Sequence, residues 1–138
     1  VTLFQNDIAR HLDVSAMTVS RAVKSLGRSG EQLTEDAALL LLTAGELTAL
    51  GLAWAVALDL VSKFSDTVAF LAVDPSVRQG WILFVEKGET RFQVAAVSRN
   101  HLAAILEAHP LSLVLALHRP VEDAAEHLRA LLKRKVAA

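Results

Sequence analysis

Residues 5–26, QNDIARHLDVSAMTVSRAVKSL, constrain this chain more than any other stretch, because two short apolar repeats of helical spacing are separated by only a few residues of turn chemistry. The first repeat predicts a helix over residues 6–12 that buries Ile8, Ala9 and Leu12. The second predicts a helix opening at Ser15 that buries Val19, Val23 and Leu26. Between them Asp13 can take the left-handed conformation that ends the first helix, Val14 is expected to plug the gap between the helices, and Ser15 can accept hydrogen bonds from the amides that open the second. Ala9 is small where the two helices cross. Helices joined in this way form a helix-turn-helix, a unit whose second helix enters the DNA major groove.

Opposite the Val19, Val23 and Leu26 seam, the second helix carries Ala16, Met17, Thr18, Ser20, Arg21 and Lys24, a polar-to-cationic face that a packing helix does not need. Arg21 suits a guanine edge or a phosphate. Thr18 and Ser20 suit phosphates, Ala16 and Met17 suit a thymine methyl group, and Ser15 is a further DNA-contact candidate. Arg28 and Gln32, just beyond the helix, are candidates for backbone or minor-groove contact, and Arg10 is a weaker phosphate candidate on the helix that crosses the backbone. The charge is thin: residues 1–34 carry Arg10, Arg21, Lys24 and Arg28 against Asp7, Asp13 and Glu31. Phosphate neutralisation supplies most non-specific affinity, so one copy is expected to bind DNA weakly and to depend on dimerisation or on DNA shape.

Residues 27–32, GRSGEQ, hold two glycines among polar residues, which ends the second helix and predicts a short hairpin, or wing. Leu33-Thr34-Glu35-Asp36 then reads as an apolar anchor, an N-cap and two acids in a first helical turn. The helix that follows is nearly all apolar. A break near Ala44-Gly45 is open, since Thr43 and Glu46 have capping-box spacing, and Gly51 ends or bends the helix before another over residues 52–63. Glu46 and Asp59 interrupt the apolar residues 37–61, which predicts a pair of core helices and not a membrane span.

The run Leu33-Thr34-Glu35-Asp36, Leu47 and Leu50-Gly51-Leu52 resembles the pattern of MerR-type winged helix-turn-helix domains, an acidic first turn after the wing and then a helix ending in Leu-Gly-Phe. Val14-Ser15-Ala16-Met17-Thr18-Val19 is similar to that family's recognition segment, and Thr18-Val19-Ser20-Arg21 equally resembles the recognition helix of the LacI family. The resemblance covers roughly the first 64 residues and implies a DNA-binding winged domain. Departures are a shorter wing, Leu33 in place of an aromatic residue, and a different continuation from Ser65-Asp66, so no effector logic carries over.

Residues 66–138 read as mixed helix and strand. Val68 to Val73 is a strand or a helix, Trp81 to Val85 and Phe92 to Ala96 form a hairpin around Lys87-Gly88-Glu89, and Ser98 caps a helix with Leu102, Ile105 and Leu106 on its face. Residues 111–117 form another strand. A closing helix after Pro120 is expected to dock through Val121, Ala124, Leu128, Leu131 and Leu132. The expected class is α+β: an all-α winged helix-turn-helix over residues 1–64, then a small β-β-α-β-α sheet domain over residues 65–138 that dimerises the chain or binds a partner.

The five histidines, His11, His101, His109, His118 and His127, show no ligand-like pair within one helix, and no glycine loop precedes a lysine and hydroxyl as a phosphate cradle does. No enzymatic activity, metal or cofactor is expected. The basic turn Lys133-Arg134-Lys135 is explained by a helix C-terminus, which favours cations. Without cysteine or a visible targeting signal, the expected location is the cytoplasm. The chain is 53% apolar, which favours a buried oligomer surface, so the reading is a homodimeric, sequence-specific DNA-binding protein and transcriptional regulator, with any small-molecule or protein effector undefined. The alternatives are a phage or mobile-element packaging or recombination factor, and a protein-interaction module that has lost DNA binding.

Overall fold

The computed structural model describes residues 2–137. The chain mixes helix with small antiparallel sheets, an α+β architecture, and divides into two compact units: Val1–Ser65 with Asp123–Ala138, and Asp66–Glu122.

In the first unit, β1 (Leu3–Phe4) leads into α1 (Gln5–Leu12) and α2 (Ala16–Ser25), and β2 (Gln32–Leu33) returns to pair antiparallel with β1, Leu3 opposite Leu33 and Phe4 opposite Gln32. The hairpin expected within residues 27–32 does not form. Gly27 and Gly30, at φ of 74° and 94°, turn the loop sharply, and too few residues remain for two strands to pair inside it. Gln5 holds the loop instead, its amide donating to the Glu31 carbonyl at 2.9 Å and its Nε2 to the Gly30 carbonyl at 2.8 Å.

Thr34 opens α3 (Glu35–Ala49), its Oγ1 accepting from the Ala37 amide at 3.1 Å. Every residue from Ala37 to Ala44 is buried, so this stretch of α3 is enclosed on all sides. Buried Thr43 satisfies its hydroxyl locally by donating to the Leu39 carbonyl at 2.8 Å. No break occurs at Ala44-Gly45. At Gly45 α1 lies close: a Cβ at that position would sit 2.5 Å from Leu12 Cδ2, the movable end of that side chain. Gly51, at φ 113°, turns the chain into α4 (Trp54–Lys63), so the apolar residues 37–61 form two helices. Among the described residues no helix is long and apolar enough to cross a membrane.

The second unit contains most of α5 (Ser65–Val73), which resolves the open choice there as helix. Next come β3 (Trp81–Lys87) and β4 (Thr90–Ala96), a hairpin with Lys87 opposite Thr90, then α6 (Arg99–Ala108) and β5 (Ser112–Ala116). The strand order is β4-β3-β5, all antiparallel. One sheet face buries Leu83, Val85 and Ala96 under Leu102, Ile105 and Leu106 of α6, the apolar face read from the sequence. Ile82 is fully buried on the opposite face.

The last helix, α7 (His118–Ala137), belongs to both units. It was expected to dock wholly on the sheet domain, but only residues up to Glu122 belong there, while Ala124 and Leu131 are buried with the first unit. Within the first unit a polar tie joins the chain ends. Asp7, whose side chain is 8% exposed, accepts from Lys135 Nζ at 2.8 Å and from the Phe4 amide at 2.8 Å through Oδ2, and from Arg10 Nη2 at 3.1 Å through Oδ1. Lys135 Nζ also lies 4.9 Å above the Phe4 ring. Burial alone would raise the Asp7 pKa, but the hydrogen bonds from Lys135 and Phe4 and the charges of Lys135 and Arg10 outweigh it and hold the carboxyl below its usual value of 3.8.

A carboxyl whose pKa is depressed on folding stabilises the fold above its unfolded pKa, and that stability is lost as pH falls through the folded value. Asp7→Asn should therefore cost about 1–3 kcal/mol near neutral pH, and the penalty should shrink below the unfolded value of 3.8. Urea unfolding of both proteins across that range checks this, and a penalty independent of pH would show that the charge is not what stabilises.

Candidate nucleic-acid interface

The turn between α1 and α2 is built by three residues. Asp13 takes the left-handed conformation, φ 55° and ψ 49°, and its amide donates to the Arg10 carbonyl at 3.3 Å while the Val14 amide donates to the Ala9 carbonyl at 3.0 Å. These bonds close the carbonyl end of α1 and reverse the chain within a few residues. Val14 does not plug the gap as expected. It is 37% exposed, while its backbone amide is the one that satisfies the Ala9 carbonyl. Ser15 caps α2, its Oγ accepting from the Thr18 amide at 3.1 Å and lying 2.8 Å from Thr18 Oγ1.

The face that α2 buries is Val19, Ala22 and Val23, each at most 1% exposed, with Leu26 half-buried at the C-cap. Ala22 completes the seam read from the sequence. Outward, Ala16, Met17, Arg21 and Lys24 are exposed, Met17 at 62%, and Thr18 and Ser20 are half-buried. Helical spacing brings Met17, Arg21 and Lys24 onto one side. Ser15 and Thr18 are already engaged with each other, which makes them first of all the cap. Arg28 is exposed in the loop after α2, where its Nη1 donates to Thr34 Oγ1 at 3.1 Å, and Gln32 is exposed on β2 opposite Phe4.

One wall of this surface was not legible in the sequence. Thr18, Arg21 and Ser25 share a cleft of about 420 Å³ with Trp54, Leu58, Asp59 and Ser62 of α4. The Asp59 carboxyl gives that cleft a negative charge beside the guanidinium-bearing face of α2, and the aromatic Trp54 gives it a flat apolar wall. No local signal relates residues separated by 29 or more positions along the chain.

Arg10, on α1, is tied to Asp7 and lies on a different groove of about 410 Å³, shared with His11, Leu131, Arg134 and Lys135. Here the tertiary structure pairs histidines that the sequence keeps far apart. The His11 and His127 rings have centroids 4.7 Å apart, and His127 Nε2 is 3.1 Å from Glu46 Oε1. Burial, then the neighbouring His127 and Arg134, push the His11 pKa down, because a charged imidazole there would be poorly hydrated and close to other cations. His118 Nδ1 sits 3.0 Å from the Gly80 carbonyl, with Trp81 edge-on at 5.5 Å, and His109 packs edge-on against Phe92. Among the described residues no three His, Asp or Glu side chains are grouped so as to hold a metal ion.

Electrostatics at this surface are local. Residues 1–65 carry five Lys and Arg against seven Asp and Glu, and residues 123–138 carry four against two, so the first unit is formally neutral. Neither protein-family models nor curated proteins give a match to this chain.

The Ser15 cap separates stability from recognition. Ser15→Ala should destabilise the first unit by about 0.5–2 kcal/mol, whereas Ser15→Asp, another good cap, should keep most of that stability. Thermal unfolding followed by circular dichroism compares the two, and equal losses would rule out capping as the role of this hydroxyl.

Proposed function

We propose that this protein binds double-stranded DNA sequence-specifically through α2, and that it acts as a dimeric transcriptional regulator in the cytoplasm. The observation that carries the reading is the two-sidedness of α2: a sealed seam of Val19, Ala22 and Val23 faces inward, and Met17, Arg21 and Lys24 project together from a helix held by a tight turn and a serine cap. A rigid helix with such a face has the shape to enter a major groove, with Arg21 able to read guanine and Met17 to touch a thymine methyl. In this reading the first unit is a reduced winged helix-turn-helix in the manner of MerR-type domains. The β1–β2 pair and the loop bearing Arg28 take the place of a full wing, and Ser20, Ala16 and Gln32 add peripheral contacts.

The neutral charge of the unit favours two copies over one. A single module that neutralises few phosphates binds weakly, and joining two raises affinity through effective concentration while demanding a two-fold related site. No cofactor or catalytic step enters this reading.

Binding to random and selected duplexes at several salt concentrations tests the proposal. The expected result is a specific complex whose log affinity falls linearly with log salt, by about 0.9 per phosphate neutralised. No binding at low salt would sink it. Arg21→Ala should cost about 1–3 kcal/mol of discrimination at one base pair if Arg21 reads a base. It should leave sequence preference intact, and reduce the salt slope by about one contact, if Arg21 touches only phosphate.

A further inference from the structure

The two edges of the β4-β3-β5 sheet differ in chemistry. Along β4, Thr90, Arg91 and Gln93 punctuate the strand, and Arg91 Nε is tied 3.2 Å from Glu86 Oε1 across the hairpin. Charged and polar side chains on an edge strand discourage pairing with another chain. The β5 edge has no such protection. From Leu111 to Leu117 the sequence is LSLVLAL, with neither charge nor proline, yet Leu111, Leu113 and Val114 are 86%, 76% and 44% exposed. An uncharged strand with one free row of backbone donors and acceptors, carrying exposed leucines, is an unfinished sheet.

We propose that β5 is where a second copy of this chain docks, by antiparallel pairing of β5 with β5 across a two-fold axis. A second copy fits this edge for three reasons. Antiparallel pairing is the geometry of every strand pair already in the sheet. A strand paired with itself about a two-fold axis is self-complementary in its backbone groups, as an isologous interface requires. The segment has no charge to repel its own image. With Val114 on the axis, Leu113 faces Leu115 of the second copy, and Leu115 faces Leu113. Those four leucines gather on the sheet face that also carries half-buried Phe84, while the two Val114 side chains meet on the opposite face, where Leu83 lies. The product is one six-stranded sheet in which the only free edges are the two polar β4 strands.

The edge is short. Five residues span roughly 17 Å, little beside the ~1,200 Å² of a standard stable interface, so free chains associate weakly and a two-fold DNA site completes the assembly by holding two copies together. That last step rests on the DNA-binding reading, whereas the surface itself does not, and it is tested without DNA.

Sedimentation of the full chain over rising concentration should show a monomer–dimer equilibrium, and Leu113→Lys should weaken it at least tenfold. Leu113 is mostly exposed, so this variant should keep the circular dichroism of the parent. Because the chain has no cysteine, Val114→Cys gives a register probe: under mild oxidation it should form a covalent dimer well before Val97→Cys, which is also exposed but lies off the edge. A chain that stays monomeric up to roughly 1 mM overturns the proposal. So does a Leu113→Lys variant that associates as the parent does, or equal cross-linking of the two cysteine variants. A monomer that still binds a selected duplex would overturn the β5 surface and spare the DNA reading, and a β5 dimer that binds no DNA would do the reverse.

Discussion

The first unit depends on the enclosure of α3. From Ala37 to Ala44 no residue of that helix is more than 8% exposed, so α1, α2 and α4 are positioned by the need to cover it. Covering an apolar helix on all sides gives each neighbour one inward face and one free face. For α2 the inward face is Val19, Ala22 and Val23, and the free face is the one proposed to meet DNA. The contact at Gly45 shows how close the packing is, since the tip of the Leu12 side chain lies where a Cβ on that helix would reach.

Polar groups settle what apolar burial leaves loose. Caps from Ser15 and Thr34 fix where α2 and α3 begin, the left-handed Asp13 fixes the angle between α1 and α2, and Gln5 pins the loop after α2. Asp7 joins three partners at once and draws the end of α7 onto the start of the chain. The Arg10 and Lys135 cations nearest this carboxylate are thereby committed to structure, which leaves Arg21 and Lys24 as the cations of the α2 face. A hydrophobic seam can slide by a turn more easily than a carboxylate can exchange specific donors, so these bonds set register where burial supplies the energy.

The second unit follows a different rule. Its sheet is covered on one face by α6, and its two edges differ, one studded with polar side chains and one bare. The exposed leucines of β5 help to account for the high apolar fraction of the chain, which in the first unit is absorbed by the enclosure of α3. The same property, greasiness of composition, thus has two structural origins that composition alone does not separate.

Local periodicity and turn chemistry were legible residue by residue. Helical spacing marked Ile8, Ala9, Val19 and Val23 as buried, Ser15, Thr34 and Ser98 read as caps, Asp13 as left-handed, and the hairpin about Gly88 and the β-β-α-β-α order followed from alternation and turn residues. These features are decided by backbone sterics and by neighbours within a few positions. What only the tertiary structure decided involves partners far apart in sequence: β1 as the mate of β2 in place of a wing hairpin, Leu12 on Gly45, Trp54 and Asp59 beside Arg21, His127 against His11, and Lys135 on Asp7. The sequence by itself determined which residues can begin, end or line an element, because that chemistry is local. Which elements meet, and so where the last helix belongs, depended on a shared core and on buried charges finding partners, and neither has a signature within one short window of the chain.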